Sequence, residues 1–192
     1  MALKLKIVVG STRPGRVAPV IAGWVADFSR QNSGFDVEIA DLADLDLPLY
    51  DEPKHPKSGE YAHEHTRRWA AIAGEADALI FVTPEYDSFP PAALINAIQY
   101  LVLEWDKKPA AIVSYGGVSG GLRAGQALRQ LLSSVGMVPI PQGVPIPFFP
   151  QFVEDGALTP NQPMTDGAKA MLAELEVLAS GLKSLRDAPV EA

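Results

Sequence analysis

Short apolar runs alternate with longer amphipathic stretches along this chain. The runs are rich in β-branched residues and predict five strands, at about 3–9, 35–40, 78–83 and 109–114 and from 137 onward. Between them apolar residues recur every three or four positions, which predicts helices at 17–30, 61–75, 91–104, 121–135 and 165–186. Strands that alternate with helices indicate an α/β fold, a doubly wound parallel sheet with helices on both faces.

The chain reads as a single domain over residues 1–192. It has no internal repeat and no linker between two apolar regions, and its length suits one α/β core. The connection at 41–59 is long, polar and proline-bearing, which favours a lid or a partner-facing loop.

Composition removes several classes of function. The net charge is -7, so nucleic acid is not an expected partner. The absence of cysteine excludes disulfides, thiolate catalysis and cysteine-ligated zinc. No secretory signal and no apolar run near the ~20 residues of a membrane span are found, so a cytoplasmic protein is expected.

Three loops that follow predicted strands carry the candidate chemistry. They cover residues 10–16, 84–90 and 115–120 and are rich in Gly, Pro, Ser or Tyr. Ligands of doubly wound sheets bind beyond the carboxyl ends of the strands. The three loops are therefore expected to converge on one ligand.

The first loop has the composition of a phosphate site. Ser11, Thr12, Arg13 and Arg16 stand between a strand and a helix, where backbone N–H groups, the helix dipole and two guanidinium groups favour an anion. The loop has no lysine, as a Walker A loop requires, and it lacks the Gly-x-Gly-x-x-Gly pattern. The alternative is an ordinary polar turn between a strand and a helix.

The second loop reads Thr-Pro-Glu-Tyr-Asp-Ser-Phe-Pro-Pro at 83–91. It predicts a rigid backbone wall with an aromatic ring beside a flat ligand; the alternative is a turn whose prolines only delimit the elements. Glu85 is not predicted to be catalytic, because no residue nearby in the sequence is a partner that would tune it.

The third loop contains Gly-Val-Ser-Gly-Gly at 117–121, which matches the nucleophile elbow of hydrolases. That triad needs a histidine after the serine, whereas all three histidines precede Ser119. The match is therefore interpreted as coincidental, and the glycines as sites of close approach to a ligand. His63 and His65 lack zinc spacing and are expected on different helix faces, exposed to solvent. No metal site is predicted.

With these motifs in view, the chain resembles the NAD(P)H-dependent FMN reductase family, which has a flavodoxin-like fold. The shared marks are Gly-Ser-Thr-Arg-Pro-Gly-Arg at 10–16, Thr-Pro-Glu-Tyr at 83–86, Asn96, and Lys108-Pro109 leading into Ser-Tyr-Gly-Gly at 114–117. The resemblance covers about residues 3–150 and implies a five-stranded flavodoxin-like sheet.

The resemblance also implies a set of FMN contacts. The first loop would hold the phosphate, the second would lie along the isoalloxazine and ribityl chain, largely through its backbone, and the third would close the other side of the ring. The implied residues are Ser11, Thr12, Arg13, Arg16, Val17, Pro84, Glu85, Tyr86, Asp87, Ser114, Tyr115, Gly116 and Gly117. No residue is implied as catalytic, because the cofactor carries the chemistry.

The sequence departs from the family at Asp87, where members usually carry asparagine. Aspartate lacks the amide donor and adds a negative charge near the flavin. We therefore expect a lower flavin reduction potential and weaker retention of the cofactor.

The predicted function is an FMN-dependent oxidoreductase. Hydride would pass from NADPH or NADH to FMN, and electrons from there to a quinone, azo compound, metal oxyanion or free flavin. A homodimer or homotetramer is expected, with the loop at 41–59 and Trp105 as interface material. The alternative is a flavodoxin-like electron carrier or FMN-binding module without NAD(P)H turnover of its own.

Overall fold

The computed structural model describes residues 2–188, in which one five-stranded sheet organises the chain. Its strands are β1 (Lys4–Val9), β2 (Asp36–Asp41), β3 (Ala78–Pro84), β4 (Pro109–Gly116) and β5 (Val138–Pro147). The strands run parallel in the order β2-β1-β3-β4-β5. This order is that of flavodoxin-like folds and confirms the predicted doubly wound sheet.

Helices cover both faces of the sheet. On one side lie α1 (Ala18–Asn32) and α6 (Gln162–Asp187), which pack on Leu5, Ile7 and Val9 of β1. On the other lie α3 (Glu64–Gly74), α4 (Ala92–Gln99) and α5 (Leu122–Ser134), together with a short α2 (Leu42–Leu45). Alternate residues of β1 thus face opposite layers, as strand pleating requires. In residues 2–188 no helix is long and apolar enough to span a membrane.

A two-stranded hairpin, β6 (Val153–Glu154) and β7 (Ala157–Leu158), connects the sheet to α6. The final helix begins at Gln162, three residues before its predicted start. The side chain of Asn161 accepts a hydrogen bond from the backbone of Met164 and so caps it.

The helix predicted to run to residue 104 is shorter in the structure, where α4 ends at Gln99. Two buried tryptophans occupy its last carbonyl groups: Trp69 Nε1 donates to Ala97 O at 2.8 Å and Trp105 Nε1 to Ile98 O at 2.9 Å. A helix end satisfied by side chains has no need of further turns. Trp105 therefore lies in the core and not at an interface surface, contrary to the expectation from the sequence.

The long connection at 41–59 is not a plain loop. Asp41 caps α2 by accepting the backbone N–H of Ala43 at 3.0 Å, and a 3-10 turn covers Pro56–Ser58. Asn96 of α4 holds the segment between them, donating to Pro48 O at 2.7 Å and accepting from Tyr50 N at 2.9 Å.

Asp77, at the start of β3, is a buried carboxylate that joins β1, β3 and α6. It accepts hydrogen bonds from Lys4 N at 3.0 Å, Lys183 Nζ at 2.9 Å and Arg186 at 3.1 Å. Burial alone raises the pKa of Asp77, but these donors outweigh it and hold the pKa below its ordinary value.

Asp77→Asn should therefore reduce the acid sensitivity of the fold. A carboxyl whose pKa is lower in the folded state stabilises the protein fully above its unfolded pKa near 4, and this contribution is lost as pH falls through the folded pKa. At neutral pH the variant should lose about 2 kcal/mol. Urea unfolding at pH 7, 5 and 3 measures both effects; equal pH slopes for parent and variant would contradict this role of Asp77.

Candidate functional site

A groove of about 330 Å³ lies at the carboxyl ends of β1, β3 and β4, where the three loops meet. Most of the residues implied as cofactor contacts line it, together with Gly15 and Phe149. The implied residues that do so are Arg13, Arg16, Val17, Pro84, Glu85, Tyr86, Tyr115, Gly116 and Gly117. The expected convergence of the three loops is therefore present.

The first loop presents an open helix N-terminus. Val17, the N-cap residue of α1, makes no side-chain capping bond, and the first turn contains no acidic residue. Pro19 has no N–H and the Val20 N–H donates to Val17 O at 3.0 Å, so in this turn the backbone N–H of Ala18 is left for an anion. Gly15 turns the chain with φ +70°, and a Cβ placed there would meet no atom within 4 Å.

The two arginines of this loop differ in their surroundings. Arg16 is largely buried, and its guanidinium donates to both carboxylate oxygens of Asp41, at 2.5 and 2.8 Å, and to Ser11 O at 2.7 Å. Arg13 is exposed, whereas the arginine ion pairs within residues 2–188 involve Arg16, Arg30, Arg67, Arg123 and Arg186. Arg16 therefore braces the loop, and Arg13 is its unpaired cation.

Ser11 and Thr12 lie outside the lining of the groove. Ser11 is fully buried, and its hydroxyl lies 3.0 Å from the phenol oxygen of Tyr86. Thr12 lines a neighbouring depression beside Leu42 and Ala93. The hydroxyl of Ser11 thus connects the first loop to the second.

The second loop ends in a tight turn of strained residues. Tyr86 and Phe89 exchange two backbone hydrogen bonds, each of 2.9 Å, around Asp87 and Ser88. Both central residues have positive φ, +49° and +73°, as in a type I′ turn, which favours Asn-Gly. Asp87 therefore has left-handed backbone, and unlike its neighbour Tyr86 it is not among the residues that line the groove.

Ser88→Gly is expected to stabilise the fold by about 0.5–1 kcal/mol. Glycine removes the cost of the left-handed backbone, and the larger conformational entropy that it loses on folding offsets only part of this gain. The same substitution in the exposed helical position Ser180 should destabilise by about 0.5 kcal/mol. Thermal unfolding of the two variants measures the contrast. A loss of stability at Ser88 as large as at Ser180 would argue against strain in this turn.

Glu85 has partners that the sequence analysis missed. Its side chain is only 6% exposed, and it accepts from Ser119 Oγ at 3.0 Å, from the Arg123 side chain at 2.7 Å, and from Arg123 N at 3.0 Å. Burial raises the pKa of Glu85, but the bonds from Arg123 and Ser119 outweigh it and the net pKa is below the ordinary value. Ser119 thus bonds a carboxylate and no histidine, unlike the serine of a hydrolase elbow.

The third loop supplies the opposite wall. Tyr115 packs edge-on against Phe149 with ring centroids 5.2 Å apart, and a Cβ on Gly117 would meet no atom within 4 Å. Burial raises the pKa of Tyr115 above its usual value, so the phenol stays neutral. Ser114 is turned away, donating to Gly120 O at 2.8 Å. Phe149 was missed, although the end of β5 lies at the same edge of the sheet.

The expectation that His63 and His65 face apart is wrong. Their rings stack 5.1 Å apart, and both lie near Asp51, with nitrogen–oxygen distances of 3.9 and 3.0 Å. His63 is the N-cap residue of α3 with extended backbone, so helical spacing does not apply to it. Within residues 2–188 no cluster of His, Asp and Glu is suited to hold a metal ion.

The groove fits FMN in its chemistry. It combines an unpaired guanidinium and a helix N-terminus without a side-chain cap, which suit a phosphate, with a space lined by segments 84–86 and 115–117. Its volume lies in the range of small-molecule sites. The open space at Gly117 and the aromatic pair of Tyr115 and Phe149 suit a planar ring.

Comparison with known proteins decides the family. The profile of the NADPH-dependent FMN reductase family matches residues 3–151, most of the chain. The chain belongs to this family. The resemblance inferred from the sequence is thereby confirmed, together with FMN as cofactor, NAD(P)H as electron donor and the assignment to oxidoreductases.

Relatives within this family carry related names. An NAD(P)H-dependent FMN reductase of Schizosaccharomyces pombe is 43% identical over 125 residues, which are 64% of this chain and 62% of that protein. A quinone reductase of Pseudomonas putida is 34% identical over 132 residues, 66% of this chain and 67% of that protein. The matches thus span about two thirds of these relatives.

Among solved structures, the FerB flavoenzyme, an NAD(P)H:(acceptor) oxidoreductase from Paracoccus denitrificans, superposes with a TM-score of 0.71. The alignment covers 95% of this chain and 98% of FerB at 22% identity. At this identity the likeness supports the flavodoxin-like fold.

Proposed function

We propose that this protein, acting as one FMN-binding domain, oxidises NAD(P)H and reduces a small-molecule acceptor with FMN held in the groove. The observation that carries the proposal is the meeting of three loops in one groove, with the unpaired guanidinium of Arg13 and the open N-terminus of α1 at one end. A phosphate and a flat ring are the two groups that this arrangement suits.

Each loop has its own part in the proposal. Arg13 and the backbone N–H of Ala18 at the start of α1 would bind the phosphate, and Arg16 would hold the loop in shape through Asp41. Backbone groups of 84–87 and 115–117 would flank the ring, with Ser11, Thr12 and Ser114 supporting the loops. When bound, FMN supplies the redox chemistry between NAD(P)H and the acceptor.

The acceptor proposed first is a quinone, with azo compounds, metal oxyanions and free flavin as further candidates. A relative named quinone reductase supports it. Exposed apolar side chains close to groove residues support it too: Phe89, whose backbone bonds that of Tyr86, and Val118 and Phe148, which adjoin Gly117 and Phe149 in the chain. We also propose a homodimer or homotetramer, which these exposed apolar side chains support because exposed apolar surface favours association. We place the enzyme in the cytoplasm, where NAD(P)H is supplied.

The purified protein tests this function directly. Added FMN should lose fluorescence and gain a structured absorption spectrum, and NADPH or NADH should then be oxidised when a benzoquinone is present. Absence of FMN binding would contradict the proposal. Flavin binding without NAD(P)H oxidation, and with turnover only when a separate reductase is added, would favour the electron carrier.

A further inference from the structure

Glu85 joins the two walls of the groove. It belongs to the loop after β3, whereas its partners Ser119, Arg123 and Ala124 belong to the loop after β4 and to the start of α5. The backbone N–H of Glu85 also donates to Tyr115 O at 3.2 Å. Backbone and side chain of one residue therefore hold both loops together.

The start of α5 depends on this carboxylate. Its N-cap residue, Gly121, has φ +81° and no side chain that could cap the helix. Glu85 Oε2 replaces the missing cap, accepting the N–H groups of Arg123 at 3.0 Å and Ala124 at 3.4 Å. A carboxylate at a helix N-terminus also interacts favourably with the helix dipole.

The loops are in close contact at this point. A Cβ on Gly116 would lie 3.2 Å from Gly121 N and 3.7 Å from the Cβ of Glu85. Gly116 lines the groove, as does Glu85. Movement of the Glu85 side chain would therefore change the spacing of the walls between which a flat ligand lies.

The two charges of the Glu85–Arg123 ion pair differ in their exposure to solvent. The Glu85 side chain is 6% exposed, whereas Arg123 is 61% exposed at a closest separation of 2.6 Å. Removing the guanidinium would leave a buried negative charge in the groove wall, and removing the carboxylate would leave a positive charge beside it. The two changes thus have opposite electrostatic effects in a partly desolvated site.

We propose that Glu85 is a positioning residue for the flavin, which spaces the two loops and, balanced by Arg123, keeps the groove wall electrically neutral. The inference rests on the proposed function, since it concerns FMN bound in this groove. Its consequence is that the two members of one ion pair shift the reduction potential of the bound flavin in opposite directions. Added negative charge disfavours the reduced, more negative flavin, and added positive charge favours it.

The test measures FMN dissociation constants in the oxidised and reduced states for Glu85→Gln and Arg123→Ala. The ratio of oxidised to reduced constants should rise about tenfold in Glu85→Gln and fall about tenfold in Arg123→Ala, which corresponds to about 30 mV each way for two electrons. Arg123→Lys keeps the charge and should restore the parent ratio. Ser119→Ala removes a neutral donor and should speed FMN release without changing the ratio.

Two substitutions control for charge alone. Glu64→Gln and Arg67→Ala break an exposed ion pair on α3 with the same changes in net charge, and they should leave the ratio unchanged. If the parent binds FMN but Glu85→Gln and Arg123→Ala shift the ratio in the same direction, or not at all, the positioning role is refuted and the proposed function stands. A parent that bound no FMN would refute both.

Discussion

Replacing Arg16 by alanine is expected to weaken FMN binding at least tenfold, a loss of about 1.5–3 kcal/mol. The reason is the ion pair between Arg16 and Asp41, which is largely buried beside the phosphate loop. Without the guanidinium, Ser11 O loses its donor and the Asp41 carboxylate is left unpaired close to the place proposed for the phosphate. The variant would thus lose the bonds that hold the loop in shape, and the unpaired Asp41 carboxylate would repel the phosphate.

Riboflavin, which lacks the phosphate, separates these effects from general damage to the groove. Arg16→Ala should weaken riboflavin much less than FMN, and Asp41→Asn in the same chain should recover part of the FMN affinity. Arg13→Ala should weaken FMN selectively too, but without lowering the free energy of unfolding, since Arg13 is exposed. Titration of intrinsic or flavin fluorescence measures each constant. Equal losses for riboflavin and FMN would place Arg16 away from the phosphate.

Gly121→Ala should destabilise the protein by about 3 kcal/mol or more. The residue has φ +81° and a Cβ there would lie 2.7 Å from Tyr115 N, 2.8 Å from the Ser114 side chain and 2.9 Å from Tyr115 O. Left-handed strain costs about 1–2 kcal/mol and overpacking against rigid atoms about 1–3 kcal/mol. Because Tyr115 lines the groove, flavin binding should fall along with stability.

Two other glycines provide matched substitutions. A Cβ on Gly23, inside α1, would meet no atom within 4 Å, so Gly23→Ala should be neutral or stabilising by up to about 1 kcal/mol. Gly117→Ala should leave the unfolding free energy nearly unchanged and weaken FMN, because its surroundings are open and it lines the groove. Denaturant unfolding and FMN titration distinguish the three. A Gly121→Ala protein as stable as Gly23→Ala would contradict the close packing at the start of α5.

The sheet could be predicted because the patterns that determine it lie within short stretches of sequence. Strands buried on both faces appear as continuous apolar runs, such as Ala78–Pro84, and their alternation with helical periodicity implies parallel order. The position of the site followed from that order, since loops after parallel strands emerge at one edge. The length of α4 was not predictable, because indole groups of two distant tryptophans determine where it ends.

The interactions inside the site were hidden for a related reason. Arg16 and Asp41 are 25 positions apart, and Glu85 and Arg123 are 38 apart. No spacing rule for a helix or a strand connects such pairs. The sequence therefore predicts Arg16 as a phosphate contact and gives no sign of its bond to Asp41, and it gives no partner for Glu85. The left-handed turn at Asp87 and Ser88 was hidden as well, because neither residue is the glycine that such a turn favours.

The last helix, α6, determines where this protein can be truncated. The family match ends at residue 151, yet α6 lies beyond it and buries Met164, Met171 and Leu175 against the same core as β1 and α1. A product that stopped at the family boundary would expose the apolar face of the sheet that α6 covers, and such a surface invites aggregation and proteolysis. Expressed fragments and fusions should therefore include all of α6, because the region that matches the family is shorter than the unit that folds.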